Sequence, residues 1–382
     1  MIVAIKPLSW SNSFKMGKIL IVIGDAGGGH IACAKAIESA LYKREKDLDV
    51  RRVDLFKLSK FTGKYDFFYY LVSRFRFVEK IYNIGYWMIN RSYIFSEVAS
   101  FFTTSYLYRP TLKYLKEFNP DIVICNNGPT ARVLSRCKKV LGFKYVITVP
   151  DLLSVSRWWA DKEADIIFCP TKEVEDILKG YCPECKCVSP FYPLREVVRY
   201  SKEEIDTKRR KLFKEFSFKE DIATILITGC GLATRDIVKN LMSFMKSKDY
   251  QFIILTGKDE RLYKRLTEKF SCCSNVVVKG YTTSILDLFS ISDLIIAKPG
   301  PATLLEIERL GKKAIFTRPV GYQEWGNVEY LLQNPNFIYI GNEYNLIEGE
   351  IKELLEKEIG EYESPILDSD AIVEYLFKSN LK

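Results

Sequence analysis

Lys18-Ile-Leu-Ile-Val-Ile23, Gly24-Asp-Ala-Gly-Gly-Gly-His30 and Ile31-Ala-Cys-Ala-Lys-Ala-Ile-Glu-Ser-Ala-Leu41 follow one another without a break. A short, wholly apolar, β-branched run is what a strand buried on both faces requires, as in a parallel sheet. Ile31, Ala34, Ile37 and Leu41 then recur at helical spacing. The three glycines between them can take positive φ and admit a ligand close to the backbone. N–H groups at a helix start, with the positive end of its dipole, favour an anion, most often a phosphate. The spacing is neither the Rossmann dinucleotide fingerprint nor a P-loop. The loop ends in His30, the one histidine of the chain, whose unperturbed pKa of ~6.5 suits proton transfer near neutrality. A tight turn alone needs less than three glycines and a titratable group.

At 382 residues the chain is long for one core, so two domains are expected. No apolar run reaches the ~18–20 residues that span a bilayer. The first fifteen residues lack the apolar core of a signal peptide, and Met16, just before the first strand, is an alternative start. A cytoplasmic protein is the expectation. Most of the ten cysteines read as small buried hydrophobes. Cys182, Cys185 and Cys187 have metal-ligand spacing, but a structural zinc wants four ligands and no second such pair is present. A net charge of +9 suits an anionic substrate, an anionic membrane surface or nucleic acid.

Along the chain, strands are expected at Val50–Leu55, Asp121–Cys125, Lys144–Val149 and Ala164–Cys169, with helices between them. This makes an α/β domain with a parallel sheet, whose ligand belongs at the carboxyl ends of the strands. Gly27, Gly28, Gly29, His30, Asn127 and Asp151 all fall there. Charged text over Ser201–Asp221 reads as a solvated helix and linker. A second alternation follows, with strands at Ala223–Thr228, Gln251–Leu255, Val276–Val278, Leu294–Ala297 and Ala314–Thr317, the last clear one. A cleft between two such domains is a natural ligand site. Phe61–Arg109 interleaves aromatic residues with Arg74, Arg76, Lys80, Arg91 and Arg109. It fits an interfacial helix at anionic headgroups, aromatic-rich core helices, or a nucleic-acid surface that stacks bases.

Four blocks carry a resemblance: Asp25-Ala-Gly-Gly-Gly-His30; Thr148-Val-Pro-Asp151 with Trp158 and Pro170-Thr171; Gly280-Tyr281; and Lys298-Pro-Gly-Pro-Ala-Thr-Leu-Leu-Glu306 with Gly321-Tyr-Gln-Glu-Trp-Gly-Asn327. In this order the chain resembles a GT-B glycosyltransferase of family 28, in particular the monogalactosyldiacylglycerol synthases and processive diacylglycerol glucosyltransferases. The transferase that adds N-acetylglucosamine to the peptidoglycan lipid carrier is a more distant likeness. The resemblance implies two tandem Rossmann-like α/β domains with parallel sheets facing a central cleft. An acceptor-side domain is expected over 16–198, a UDP-sugar-binding domain over 220–345, and a helical segment over 346–382.

The implied reaction is inverting transfer of a hexose from a UDP-sugar to a lipid hydroxyl, with no cofactor and no metal. His30 is the candidate base and Asp25 its orienting partner. Glu306 would accept hydrogen bonds from the ribose, and backbone at Gly280 and Tyr281 would meet the uracil. Gly229 and Gly231, with Lys298, Gly300, Ala302 and Thr303, would line the diphosphate. Gln323 and Glu324 would read the sugar hydroxyls, and Asn327 would brace their loop. Asp47-Leu-Asp49 and Asp368-Ser-Asp370 look like metal motifs but sit at a helix end and at a helix cap. The family often carries a histidine where Val155 stands. The expected partners are a UDP-sugar, a lipid acceptor and an anionic membrane met through 61–109, not nucleic acid. The protein is then cytoplasmic and peripherally associated with the membrane. A UDP-sugar epimerase on the same scaffold, or a non-catalytic sugar-nucleotide or lipid-binding subunit, is the alternative.

Overall fold

A computed structural model describes residues 17–24, 28–59, 76–229, 232–319 and 321–379. The chain begins β1 (Lys18–Ile23), α1 (Gly28–Arg44), β2 (Asp49–Asp54), α2 (Arg76–Arg91) and α3 (Tyr93–Phe118). It continues β3 (Ile122–Cys125), α4 (Ala131–Leu141), β4 (Lys144–Thr148), β5 (Ile166–Phe168), α5 (Lys172–Tyr181) and β6 (Cys187–Val188). Then come α6 (Lys202–Phe216), β7 (Thr224–Ile227), α7 (Leu232–Asn240), β8 (Gln251–Leu255), α8 (Glu260–Lys269), β9 (Val276–Lys279) and α9 (Ile285–Ile291). The last elements are β10 (Leu294–Ala297), α10 (Pro301–Arg309), β11 (Lys313–Thr317), α11 (Trp325–Leu331), β12 (Phe337–Gly341), α12 (Ile347–Glu356) and α13 (Ser369–Ser379).

Two six-stranded parallel sheets result, ordered β2-β1-β3-β4-β5-β6 and β12-β11-β10-β7-β8-β9. β1 shows why its text is apolar throughout. Ile19, Leu20, Ile21 and Val22 are all fully buried, and a strand's period of two sends alternate side chains to opposite faces. Leu20 and Val22 join a core with Leu107 of α3 and Leu134 of α4. Ile19 and Ile21 join another with Ile37 and Leu41 of α1 and Ile372 and Leu376 of α13.

The chain divides into two compact units. One holds the described residues up to Glu196, Gly321–Gln323 and those from Pro365 onward; the other holds Val197–Val320 and Glu324–Ser364 where described. The expected limits shift accordingly. The charged segment at Ser201–Asp221 is not a linker. Its helix α6 buries Phe213 and Phe216, and Arg209 forks onto Asp293 at 2.9 and 3.0 Å. Only two inward aromatics mark the packed side, so the solvated charges dominate the text. The expected C-terminal segment also divides. Ile347, Ile351 and Leu354 of α12 enter the second unit's core, whereas α13 closes the first unit. The short edge strands β6 and β12 are further elements.

Candidate active site

In the first sheet β1 is flanked by β2 and β3, so the crossovers leaving β1 and β3 diverge and open a crevice at their carboxyl ends. His30 is the third residue of α1, and its Nδ1 lies 2.9 Å from the carbonyl oxygen of Asn126, just past β3. A carbonyl only accepts, so Nδ1 carries the proton and the Nε2 lone pair is left as a base. Asn126 returns a bond from Nδ2 to the His30 carbonyl at 3.2 Å. Burial holds the imidazole below its ordinary pKa of 6.5, outweighing these Asn126 bonds, which raise it. Gly24 is required by its neighbour: a Cβ there would stand 2.0 Å from Nδ2 of Asn127.

His30 opens on a cavity of about 480 Å³ whose walls include Tyr82, Tyr86 and Ile89 of α2, with Asn127, Trp158 and Trp159. Asp151 also lines it and accepts from Nε1 of Trp159 at 3.3 Å. Burial, with the nearby Asp151 carboxylate, pushes the Tyr86 phenol well above 10, so it stays a neutral hydroxyl. Val155 is buried in the core. The sequence reading missed Asn126, which acts on His30 through its main-chain carbonyl. Its one signal was its place after a strand. Asp25, Gly27 and Gly231 lie outside the described residues, as do 61–75.

In the second sheet β7 is flanked by β8 and β10, which puts the corresponding crevice at the loops holding Gly229 and Lys298–Gly300. Gly300 caps α10 without a side-chain bond, and Ala302 and Thr303 stand in that helix's first turn. Glu306, one turn on, is only 5 % exposed, not the solvated helix carboxylate its position alone would give. The Lys298 ammonium pairs with the Glu324 carboxylate. Buried Asn327 donates from Nδ2 to the carbonyl of Pro299 at 2.9 Å, tying its helix to the Lys298 loop. Gly280 follows β9, and Tyr281 beside it is exposed, with the Lys258 ammonium 5.8 Å from its ring centre. Gln323, grouped with the first unit, accepts from the Tyr82 hydroxyl at 2.6 Å.

Among the described residues no group of three His, Cys, Asp or Glu could hold a metal ion; Cys185 and Cys187 are buried thiols. Asp49 is forked by Arg51 at 3.1 and 3.0 Å. Asp368 accepts from the Asp370 N–H at 3.1 Å, and Asp370 pairs with Lys43 at 2.8 Å.

Because the chain has one histidine, its imidazole titration can be followed by NMR without assignment. The midpoint is expected below 6.5, with Nδ1 as the protonated nitrogen of the neutral form. Folding then disfavours the proton, so stability present above pH 6.5 falls as pH drops through that value. A midpoint at or above 6.5 contradicts the buried geometry.

Residues 30–184 match the family model for monogalactosyldiacylglycerol (MGDG) synthase, and 224–325 match that for the glycosyltransferase family 28 C-terminal domain. A processive diacylglycerol β-glucosyltransferase of Bacillus mycoides (strain KBAB4) is 29 % identical over 322 residues, covering 83 % of this chain and 80 % of that protein. A probable chloroplastic monogalactosyldiacylglycerol synthase of Glycine max is 27 % identical, covering 84 % of this chain and 62 % of that one. A crystal structure of UDP-GlcNAc 2-epimerase from Neisseria meningitidis bound to UDP-GlcNAc superposes with a TM-score of 0.59 at 15 % identity. It covers 94 % of this chain and all of that one, a likeness of fold. Two matched domain models on two parallel α/β sheets make this chain a family 28 glycosyltransferase of GT-B fold, similar to the monogalactosyldiacylglycerol synthases and processive diacylglycerol glucosyltransferases.

Proposed function

We propose that the protein transfers a hexose from a UDP-sugar to a hydroxyl of a membrane lipid of diacylglycerol type, with inversion. The observation that carries this reading is His30, its Nδ1–H held by the Asn126 carbonyl, facing a cavity walled chiefly by aromatic and aliphatic side chains with Asn127, Asp151 and Ser156 among them. Nε2 takes the proton of the acceptor hydroxyl as that oxygen bonds to the anomeric carbon. The bond from that carbon to the diphosphate breaks, and UDP leaves with the electron pair. Backbone N–H groups at Gly229 and in the first turn of α10, the α10 dipole and Lys298 receive the charge. Glu306 accepts from the ribose hydroxyls, and the Gly280–Tyr281 backbone meets the base. Gln323 and Glu324 read the sugar. No cofactor or metal takes part. An epimerase reading is not favoured: the likeness there is of fold, and the chain offers one histidine where epimerisation wants further acid and base groups.

The acceptor reaches this site from a bilayer. α2 turns Phe77, Ile81, Ile84 and Trp87 outward, and α3 turns Tyr93, Ile94, Val98, Phe101 and Phe102 outward. Phe77 and Ile94 are 74 and 73 % exposed, which rules out core packing for this face. Lys80, Arg91 and Arg109 are exposed beside it. Of the acids on the two helices near this face, Glu79 is buried and Glu97 is paired with Arg132. Aliphatic Ile81, Ile84, Ile94 and Val98 offer hydrocarbon rather than a stacking plane, so a lipid surface fits better than nucleic acid. No described helix is long and apolar enough to cross a membrane. The exposed apolar face with its flanking cations supports a reading of peripheral association at a cytoplasmic membrane face.

Labelled UDP-sugars incubated with total lipid separate the readings: labelled lipid supports transfer, and labelled epimer or no product overturns it. His30→Ala is expected to lower turnover by roughly 10² to 10⁴ with donor affinity retained. Glu306→Ala is expected to weaken UDP binding by calorimetry while the protein stays folded. EDTA should leave turnover intact, and a loss restored by Mg²⁺ or Mn²⁺ refutes the metal-free scheme. Binding to anionic vesicles should fall as salt rises. It should also fall in Lys80→Glu with Arg91→Glu, each cation contributing ~1 kcal/mol. Sedimentation without vesicles at every salt concentration rejects the membrane face.

A further inference from the structure

Gly85 sits in the middle of the sixteen-residue α2, where glycine is disfavoured relative to alanine. The two usual reasons for such a glycine are absent. Its φ is not positive, and among the described residues a Cβ built on it would meet nothing within 4 Å outside its own stretch of helix. Gly85 nevertheless lines the cavity onto which His30 opens, together with Ile81 one turn before it and Ile89 one turn after. Ile81 is also half exposed, and Ile84 and Trp87 beside Gly85 are exposed on the outer face of the same helix. The wall between the cavity and the apolar outer face is thus missing a side chain at one point, and among the described residues no side chain fills it.

Building on the lipid-acceptor reading, we infer that this gap is a port for the acceptor's hydrocarbon. The acyl chains pass over Gly85 between Ile81 and Ile89 and remain in contact with the bilayer, while the hydroxyl reaches His30. Gly85 is thereby a specificity-determining position for acceptors with long chains. The flanks of the gap are apolar: Ile81 and Ile89 stand one turn to either side of a backbone segment with no side chain of its own, while Asn127, Asp151 and Ser156 of the polar lining belong to the loops beyond β3 and β4.

The test is the series Gly85→Ala, Gly85→Leu and Gly85→Phe, assayed with a long-chain diacylglycerol in anionic vesicles and with a short-chain, water-dispersed diacylglycerol. Gly85→Ala places a methyl in open space and removes the helix penalty, so it is expected to be at least as stable as the parent. Long-chain kcat/KM should fall with side-chain size, by about tenfold or more at leucine, the scale on which apolar pockets discriminate small changes in bulk. Short-chain turnover, UDP affinity and vesicle binding should stay near the parent values. The leucine and alanine variants decide the matter even where phenylalanine fails to fold. Folded Gly85→Leu with parental long-chain activity, or with equal losses on both acceptors, overturns the port alone. A parent protein that labels no lipid overturns the transfer reading and the port together.

Discussion

A parallel strand covered on both faces cannot turn back on itself, and this constraint shapes both units. Each strand must be followed by a crossover that returns the chain to the same end of the sheet, so every strand delivers its following loop to one rim. Where neighbouring crossovers leave in opposite directions, the loops part and a crevice remains. In the first sheet that point lies between β1 and β3, and in the second between β7 and β10. Gly28–His30 and Gly229 fall at these two points, so one topological rule positions both halves of the proposed site.

The proposed base, His30, depends on a main-chain acceptor. A carboxylate partner at Nδ1 would have raised the imidazole pKa and favoured the charged ring. The Asn126 carbonyl fixes the tautomer without a full charge, and burial then keeps the ring neutral. In the second unit the carboxylate of Glu324 has the opposite task of holding the Lys298 ammonium in place, so the cation arrives positioned rather than searching.

Most of this was legible in the sequence because it is written in period and in loop chemistry. β-branched runs mark the central strands, and the glycine loops and Lys298–Glu306 mark the rim. Roles carried by backbone were not legible: Asn126 looks like any loop asparagine until its carbonyl is seen against His30. Edge strands were missed because β6 has two residues and β12 follows the polar stretch Asn334–Asn336. Periodicity also tells which side of a helix is apolar but not whether that side faces in or out. α2 and α3 therefore stayed ambiguous until their aromatic residues were found exposed. α6 failed the other way, its charges concealing Phe213 and Phe216.

The return of α13 to the first unit has a consequence for biosynthesis. Ile19, Ile21, Ile37 and Leu41 share a core with Ile372, Val373 and Leu376, so residues translated before the second unit wait to be covered by residues translated after it. The second unit is contained within Val197–Ser364 and has its full complement of strands before α13 is made. The usual amino-to-carboxyl order of domain completion during synthesis is thus inverted. The first unit is completed after the second, and loss of α13 leaves the first unit's sheet with one bare apolar face.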